Sequence, residues 1–182
     1  MPHTQNTASK TMNKIDFIHE RCKFMPLWER ANTSTKALVT ISSTDLLYFD
    51  SVDISTQKFF DLIRAMLVFK GARDFASLVL KPDPFSYFNF HFGKYSGFVH
   101  RAEHSDDDFF ESWQKDPGGS PADCLWANSE RYAVLPIPGD WFVYADRKWE
   151  MGVLSGPPDI ISFARNFYPF FLDPGEDFKI VG

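Results

Sequence analysis

The sequence predicts an α+β fold, with a mainly antiparallel sheet and a few helices packed on one side of it. Apolar runs of strand length follow one another with few helical segments between them, and the regular strand–helix alternation of a βαβ fold is missing. The most informative stretch is 139–156, which reads GDWFVYADRKWEMGVLSG. Its apolar runs Trp141–Ala145 and Trp149–Leu154 flank the polar turn Asp146–Lys148, which predicts a β-hairpin in the middle of the sheet.

Length and composition describe one aromatic-rich domain. The chain has 182 residues and is 17% aromatic, with 20 phenylalanines, so it can bury a core without disulfide or metal staples. Residues 1–14 are polar and lack apolar periodicity. We therefore expect a disordered arm over 1–14 and a single domain over 15–182.

Charge and hydropathy argue against two classes of partner. The net charge is −5, from 19 Lys and Arg against 24 Asp and Glu, so we expect no nucleic-acid partner. No apolar run approaches the ~20 residues of a membrane span, and the first residues lack the apolar region of a signal peptide. We therefore expect no membrane partner and a cytoplasmic location, while the oligomeric state stays open.

The first part of the chain predicts a short helix and two strands. Ile15–Lys23 has apolar side chains at helical spacing. Pro26 is expected to end this helix, because the residue before a proline avoids the α region. Ala37–Ile41 and Leu46–Phe49 read as strands joined by a turn.

The clearest helix prediction is Thr56–Lys70. Ser55 is a suitable N-cap, and Gly71 suits the position just after the last turn. The helix carries an apolar stripe that we interpret as core and not as a cofactor site. The stripe consists of Phe59, Ile63, Met66 and Leu67.

Three further strands are predicted after this helix, at Ala76–Lys81, Phe85–Phe92 and Phe98–Arg101. The middle one, FSYFNFHF, alternates between two faces. Its buried face would hold Phe88, Phe90 and Phe92, and its open face Tyr87, Asn89 and His91.

The last third predicts two helices and one more strand besides the hairpin. Ser105–Lys115 reads as a short helix, and a final helix opens at Pro157–Asp159. Arg131–Ile137 reads as a strand, and Pro136 makes an edge position the expected one. The apolar tail Phe170–Leu172 is expected to pack back onto the domain.

An acidic group begins the helix predicted from Ser105. Asp106, Asp107 and Asp108 occupy its first turn, where the helix dipole favours negative charge. Ser105 and Asp108 also match a capping box. Capping and binding are compatible, because a capped acidic end is still exposed to a basic partner.

Three histidines supply an alternative, metal-binding hypothesis. His91, His100 and His104, with Glu103 or Asp106, offer ligand types that zinc accepts. No H-E-x-x-H spacing is present, and strand register decides whether His91 and His100 share a face. Ordinary surface or hydrogen-bonded histidines are the favoured interpretation, so we predict neither a metal nor another cofactor.

Motifs for other chemistry are missing from the sequence. It contains no G-x-S-x-G and no phosphate-binding glycine loop. Cys22 and Cys124 lie far apart, and neither belongs to a C-x-x-C pair. Cys124 precedes Leu125 and Trp126, which is typical of a small buried hydrophobe. Non-enzymatic function is therefore favoured.

Seven residues give the stretch 138–156 its pattern: Asp140, Trp141, Tyr144, Asp146, Arg147, Trp149 and Glu150. With these residues the stretch resembles the late strand pair of several families of small bacterial immunity-type proteins. The resemblance implies an α+β, cytoplasmic, acidic protein that binds and neutralises a cognate toxin. It covers about a tenth of the chain, and it carries over no toxin-contact residue, because those differ between families.

The favoured function is that of a non-enzymatic immunity protein, which would neutralise a basic toxin domain by covering its active site. The residues expected to contact the partner are Asp106, Asp107, Asp108 and Glu111 in an acidic part, and Tyr87, His91, Trp149 and Glu150 in a sheet part. The alternative is a metal-dependent or small-ligand-binding protein or enzyme that uses the His91/His100/His104 region. A third hypothesis is a small-ligand binder with a pocket between the helix at Thr56–Lys70 and the sheet.

Overall fold

The sheet has six strands, all paired antiparallel, in a computed structural model that describes residues 14–42, 45–120 and 124–173. The strands are β1 (Leu47–Asp50), β2 (Asp74–Lys81), β3 (Gly97–His100), β4 (Arg131–Ile137), β5 (Phe142–Asp146) and β6 (Met151–Ser155). Their order across the sheet is β1-β6-β5-β4-β2-β3. The predicted α+β class with an antiparallel sheet is confirmed, and residues 1–13 of the predicted arm lie outside the described ranges.

Helices of very different length surround this sheet. They are α1 (Arg21–Leu38), α2 (Gln57–Phe69), α3 (Phe90–Phe92), α4 (Asp106–Gln114), α5 (Leu125–Asn128) and α6 (Pro158–Phe167). A 3-10 turn covers Ser51–Ser55, and a π-helix, Pro84–Asn89, leads directly into α3. Within the described ranges, none of these helices is long and apolar enough to cross a membrane.

The sheet is covered on both faces, and its alternating side chains separate two cores. One core lies under α2, α4, α5 and α6 and includes Phe75 and Val134 from the sheet. The other lies under α1 and includes their neighbours Ala76 and Leu135. The expectation of helices on one side is corrected here, because α1 covers the second face.

The predicted hairpin is present and lies inside the sheet. β5 and β6 pair with Val143 opposite Leu154 and Asp146 opposite Met151. β1 flanks β6 and β4 flanks β5, so neither strand of the hairpin is at an edge. Burial on both faces explains why these strands read as nearly continuous apolar runs.

A long helix, α1, replaces the predicted short helix at 15–23 and the predicted strand at 37–41. Residues 14–20 are extended, and the helix continues for 18 residues through Pro26. A proline in the second helical turn removes one hydrogen bond, to the carbonyl of Cys22, and the helix continues beyond it to Leu38.

Burial of one stripe explains where α1 ends. Phe24, Ala31 and Leu38 are its buried residues, and they recur every seven positions, which is two helical turns. This packing outweighs the strand propensity of the residues around Val39. The side chain of Arg30 also ties the helix to the sheet, because it donates hydrogen bonds to the carbonyls of Pro136 (2.7 Å) and Gly139 (2.5 Å).

The helix predicted at Thr56–Lys70 is confirmed as α2. Thr56 and not Ser55 is the N-cap, since its hydroxyl accepts a hydrogen bond from the backbone of Phe59 at 3.3 Å. Gly71 has a φ of +66°, the left-handed conformation that suits glycine after a helix. The predicted stripe is buried in the first core.

The predicted strand Phe85–Phe92 is wrong, because this segment is helical over 84–92. Asp83 accepts hydrogen bonds from the backbone of Phe85 and Ser86, and Pro84 starts the first turn. The inward side chains follow helical spacing instead of alternation. They are Phe85, Phe88 and Phe92, while Phe90 points to solvent.

β4 is a central strand, which corrects the prediction that Pro136 marks an edge. Pro136 lies opposite Phe75 of β2, but it is beyond the last β4–β5 pair, Val134 with Val143. Its carbonyl is bound by Arg30. Proline has no backbone N–H to donate. At Pro136 no neighbouring strand lies on the side where that hydrogen bond would form, so none is lost.

Both edges of the sheet are partly covered by the chain outside the strands. Ile18 forms a bridge with Tyr95 just before β3, and its backbone nitrogen donates to the carbonyl of Gly97 at 3.0 Å. At the other edge, the nitrogen of Leu172 donates to the carbonyl of Tyr48 at 2.7 Å. The predicted return of the tail 170–172 onto the domain is thus confirmed.

Replacing Gly152 by alanine is expected to destabilise the domain by about 1–3 kcal/mol, the usual cost of overpacking. Gly152 of β6 lies opposite Phe49 of β1, and a Cβ at this position would overlap the Phe49 ring. That ring is completely buried and cannot move aside. Urea unfolding measures the effect.

Gly71→Ala is the comparison for this experiment, because a Cβ there meets open space and only the left-handed backbone is strained. Its cost should be about 1 kcal/mol. A Gly152→Ala variant as stable as the parent protein would contradict the packing described here.

Candidate functional site

Both segments of the predicted sheet surface lie at one end of the sheet. Lys81 pairs with Arg131, Arg131 with Asp146, and Asp146 with Met151, so four strands reach this end together. The helical segment 84–92 follows β2 here, and the turn 147–150 joins β5 to β6. We call this region the aromatic end and define it by Tyr87, Phe90, His91, Trp149 and Glu150.

Large aromatic side chains of the aromatic end face solvent. The exposed fraction is 78% for Phe90, 66% for Trp149 and 44% for Tyr87. Three strand spacings of about 4.8 Å separate β2 from β6, so the two segments are close enough to lie within a single interface. Exposed tryptophan and tyrosine are the residues that most often dominate protein interfaces.

The segment 84–92 is fixed in place by its cap and by inward phenylalanines. The side chain of Asp83 accepts from the nitrogens of Phe85 (2.9 Å) and Ser86 (2.6 Å). Partial burial raises the pKa of Asp83, but these hydrogen bonds outweigh it and hold the pKa below its usual value. Phe85 packs in the core under α1 and Phe88 in the core under α2, so the segment crosses the end of the sheet.

The turn 147–150 is fixed by a buried carboxylate. Asp146 is 4% exposed, and it accepts hydrogen bonds from Arg131 (2.8 Å), the Tyr144 hydroxyl (3.2 Å) and the backbone of Lys148 (3.0 Å). The Arg147 guanidinium lies 4.9 Å from the centre of the Trp126 ring. The turn therefore presents Trp149 from a rigid base.

Glu150 has an unusual backbone conformation. Its φ is +53°, and it is the one residue other than glycine with a positive φ in the described parts of the chain. A left-handed residue with a side chain costs about 1–2 kcal/mol, and glycine or asparagine would avoid most of that cost. Such positions often coincide with functional sites.

The acidic part of the predicted surface is built as a helix N-terminus. Ser105 caps α4 through the predicted capping box with Asp108, whose carboxylate accepts from the Ser105 backbone at 2.8 Å. Hydrogen bonds from the backbone and hydroxyl of Ser105 lower the pKa of Asp108. Asp106 accepts from Arg64 and from Gln57, both at 2.9 Å.

Two acidic side chains on α4 remain exposed, Asp107 and Glu111. Glu111 has Lys14 at 3.6 Å in a solvent-exposed pair of small energetic value. Asp61 of α2 joins this group, because Gln57 donates to Asp61 and to Asp106, at 2.9 Å each. Asp61 was missed in the sequence because it belongs to another helix.

The acidic and aromatic groups lie at opposite ends of the sheet. The N-terminus of α4 follows His100, which pairs with Phe75, and Phe75 pairs with Pro136 at the far end of β4. β4 has seven residues and spans about 20 Å at about 3.4 Å per residue. The structure brings Tyr87 and His91 together, with ring centres 5.2 Å apart, but not next to Asp106–Asp108.

The three histidines of the metal hypothesis occupy different environments. His91 is exposed on the segment 84–92, and His100 is buried on β3. His104 lies in the loop between β3 and α4, where its Nδ1 accepts from the backbone of Arg101 at 3.0 Å. The parts of the chain that the structure describes contain no group of three or more His, Cys, Asp and Glu side chains placed to hold a metal ion.

A cavity of about 350 Å³ lies between α2, the β2–β3 edge and α4. Its lining residues are Phe60, Arg64, Leu67, Val68, Ala72, Arg73, Phe75, His100, Arg101, Ala102, His104, Ser105 and Phe109. We call it the arginine-lined cavity. It occupies the place where the sequence left open a pocket between the Thr56–Lys70 helix and the sheet.

His100 forms part of the cavity wall and is held by a buried hydroxyl. Its Nε2 lies 2.7 Å from the Ser77 Oγ, and its ring stacks on Phe75 with centres 4.4 Å apart. Burial, together with the nearby His104, lowers the pKa of His100 to about 3. The imidazole is therefore neutral near pH 7.

Comparisons with known proteins identify no relative from which the function of these surfaces could be inferred. No family model, no curated protein and no solved structure matches the chain. The resemblance to immunity-type proteins therefore stays a prediction that rests on residues 138–156.

Sequence reasoning left open a pocket beside the Thr56–Lys70 helix but did not identify its lining residues, and it misplaced Phe90. The Ser77–His100 contact joins two strands, and alternation within either strand gives no sign of it. Phe90 was assigned to a buried strand face, although the D-P-x-S start at Asp83 was a signal for a helix. Helical spacing from Phe85 would have placed Phe90 outside.

The domain is expected to lose stability as the pH falls below about 6.5. Folded His100 stays neutral down to about pH 3, whereas in the unfolded chain a histidine takes up a proton near pH 6.5. The unfolded state thus binds one more proton in this window. The free energy of unfolding therefore falls by about 1.4 kcal/mol for each unit by which the pH is lowered. Urea unfolding between pH 7 and pH 5 measures this slope.

Proton NMR supplies the direct test on His100. Its Cε1–H resonance should keep the position of a neutral imidazole from pH 8 to pH 5. The control is His91→Gln, a substitution at an exposed histidine that should leave the stability slope unchanged. A His100 titration with a midpoint near pH 6.5 would contradict the burial that the structure describes.

Proposed function

We propose that this protein is a non-enzymatic protein-binding domain and that its aromatic end is the docking surface. The observation that carries the proposal is the exposure of Trp149, at 66%, on a turn fixed by the buried Asp146. Phe90 and Tyr87 add exposed aromatic surface at the same end of the sheet. Rigid aromatic anchors of this kind bury large areas at small entropic cost.

The partner we propose is the basic active domain of a toxin, which the aromatic end covers. In this proposal the domain acts as a bacterial immunity protein in the cytoplasm, consistent with its acidic net charge of −5 and the resemblance of residues 138–156. Inhibition by occlusion needs no catalytic group on this chain. It needs a preformed surface, and both segments of the aromatic end are held by caps and buried contacts.

The acidic side chains of α4 have a separate role in this proposal. Asp107 and Glu111 are exposed, and they lie on a different part of the surface from Trp149. At low ionic strength, where the screening length reaches about 30 Å, charges about 20 Å from the contact area still attract a basic partner. They therefore speed association, while the aromatic end sets the rate of dissociation.

Native mass spectrometry of the full chain, purified gently from its source cells, is the experiment that tests the function. The expected result is a complex with a second polypeptide. Cross-links from Lys148, beside Trp149, should identify the docking surface, and cross-links from Lys70, which pairs with Asp140 and Asp159 at the other end of the sheet, should be missing. A partner that cross-links to Lys70 and not to Lys148 would contradict the assignment of the aromatic end.

Trp149→Ala is expected to weaken binding of that partner by about thirtyfold or more, the loss that corresponds to about 2 kcal/mol at an interface hot spot. The control is Phe167→Ala, which removes another exposed aromatic ring, 47% exposed, from α6. Its affinity should stay within about twofold, a change typical of a position outside the interface. Equal losses in both variants would count against the aromatic end; titration calorimetry provides the affinities.

Glu150→Gly is expected to separate binding from stability. Glycine relieves the left-handed backbone at this position, and part of that gain is offset by the flexibility of glycine in the unfolded chain. We therefore expect stability to rise by about 0.5 kcal/mol while partner affinity falls. The control Glu150→Gln keeps the backbone strain and removes only the charge; a Glu150→Gly variant that is less stable and binds normally would refute the role of this side chain.

A further inference from the structure

The arginine-lined cavity has a positively charged lining, whereas the protein as a whole has a negative net charge. Three of its 13 lining residues are arginines and two are histidines, and none is an aspartate or a glutamate. The whole chain, in contrast, has 24 acidic residues against 19 lysines and arginines. A cavity of about 350 Å³ with this lining has the size and the charge to hold a small anion.

Two of the three arginines have donors available for a ligand. Arg64 is engaged by the Asp106 carboxylate at 2.9 Å and by the His104 carbonyl at 3.0 Å. Arg73 and Arg101 are exposed, and among the described residues their guanidinium groups have no hydrogen-bond or ion-pair partner. Guanidinium groups present paired donors that fit carboxylate and phosphate oxygens.

A buried nitrogen without a partner lies in the same wall. His100 is 2% exposed. Its Nε2 is hydrogen-bonded to the Ser77 hydroxyl, and its Nδ1 has no hydrogen-bond partner. Buried polar atoms in proteins are nearly always paired, so this nitrogen leaves an unused hydrogen-bonding group beside the cavity. When the Ser77 hydroxyl donates to Nε2, Nδ1 carries the hydrogen and is a donor for an anion.

The remaining lining is apolar and aromatic. Phe60 stacks on Phe109 with ring centres 4.2 Å apart, and Phe75 stacks on His100. Leu67 completes this wall from α2. The ligand therefore needs an organic body as well as a charged group, because an inorganic anion would leave this apolar wall in contact with water.

We propose that the arginine-lined cavity binds a small amphipathic organic anion. Its carboxylate or phosphate group is held by Arg73 and Arg101 beside the His100 ring, and its apolar body lies against Phe60, Leu67 and Phe75. Ser77 is buried behind His100 and does not line the cavity, so it positions the ring and takes part in no covalent step. This site is separate from the aromatic end and does not depend on the proposed protein-binding function.

Titration calorimetry on the full chain tests the site with defined probes. The probes are 2-naphthoate, octanoate, 2-naphthyl phosphate, the uncharged 2-naphthamide and inorganic phosphate. At least one organic anion should bind one to one, and 2-naphthamide and inorganic phosphate should bind at least about tenfold more weakly than it does. The headgroup is identified by the tighter of 2-naphthoate and 2-naphthyl phosphate, which share the same apolar body.

Two results of this titration would overturn the proposal. One is no binding by any organic anion at 10 mM. The other is binding of 2-naphthamide or inorganic phosphate as tight as that of the best organic anion, because the cavity would then not recognise both parts of the ligand.

Substitutions locate the bound probe. Arg73→Gln and Arg101→Gln should each weaken the best probe at least about fivefold, as expected for loss of a charge-assisted hydrogen bond. Arg165→Gln, at an exposed position on α6, is the matched control and should leave the affinity within about twofold. Unchanged affinity in both cavity variants, or an equal loss in the control, would overturn the assignment.

The His100 nitrogens give a readout that does not depend on these variants. In a long-range ¹H–¹⁵N spectrum, the best probe should shift Nδ1 of His100 and leave His91 unchanged. Saturating probe that shifts neither nitrogen of His100 would show that the anion binds elsewhere.

Discussion

Burial of the sheet on both faces is the constraint on which the rest of the structure depends. Residues of β4 and β5 point alternately into the core under α2 and the core under α1, so neither face of these strands has room for a binding site. The side chains available for recognition therefore gather at the two ends of the sheet. One end carries Tyr87 and Trp149, and the other opens into the arginine-lined cavity.

The elements that sequence reasoning identified are those whose local pattern agrees with their packing. The helix Gln57–Phe69 has an N-cap, an apolar stripe and a terminal glycine, and the hairpin has two apolar runs around a polar turn. The predictions were wrong where tertiary packing outweighed a local sequence pattern. Pro26 suggested an end to a helix that continues because a seven-residue stripe is buried, and alternation in 85–92 concealed helical spacing.

For a related reason, only some residues of the candidate surfaces could be predicted from the sequence. The capping box at Ser105 could be read from spacing alone, whereas Trp149 and Glu150 were expected to open the return strand and lie instead in the turn 147–150. The contact of Ser77 with His100 and the approach of Asp61 to Asp106 through Gln57 join residues distant along the chain. Such contacts depend on strand order and on helix placement, which local patterns do not encode.

The bridges at Ile18 and Leu172 restrict how another protein can engage this domain. They occupy backbone groups on the outer sides of β3 and β1, where an incoming peptide would otherwise add a strand. Strand addition derives affinity from backbone groups and so tolerates many peptide sequences. A domain with these positions already filled has to select its partners through side-chain shape and charge, and the same arrangement protects it from joining edge to edge with its own copies.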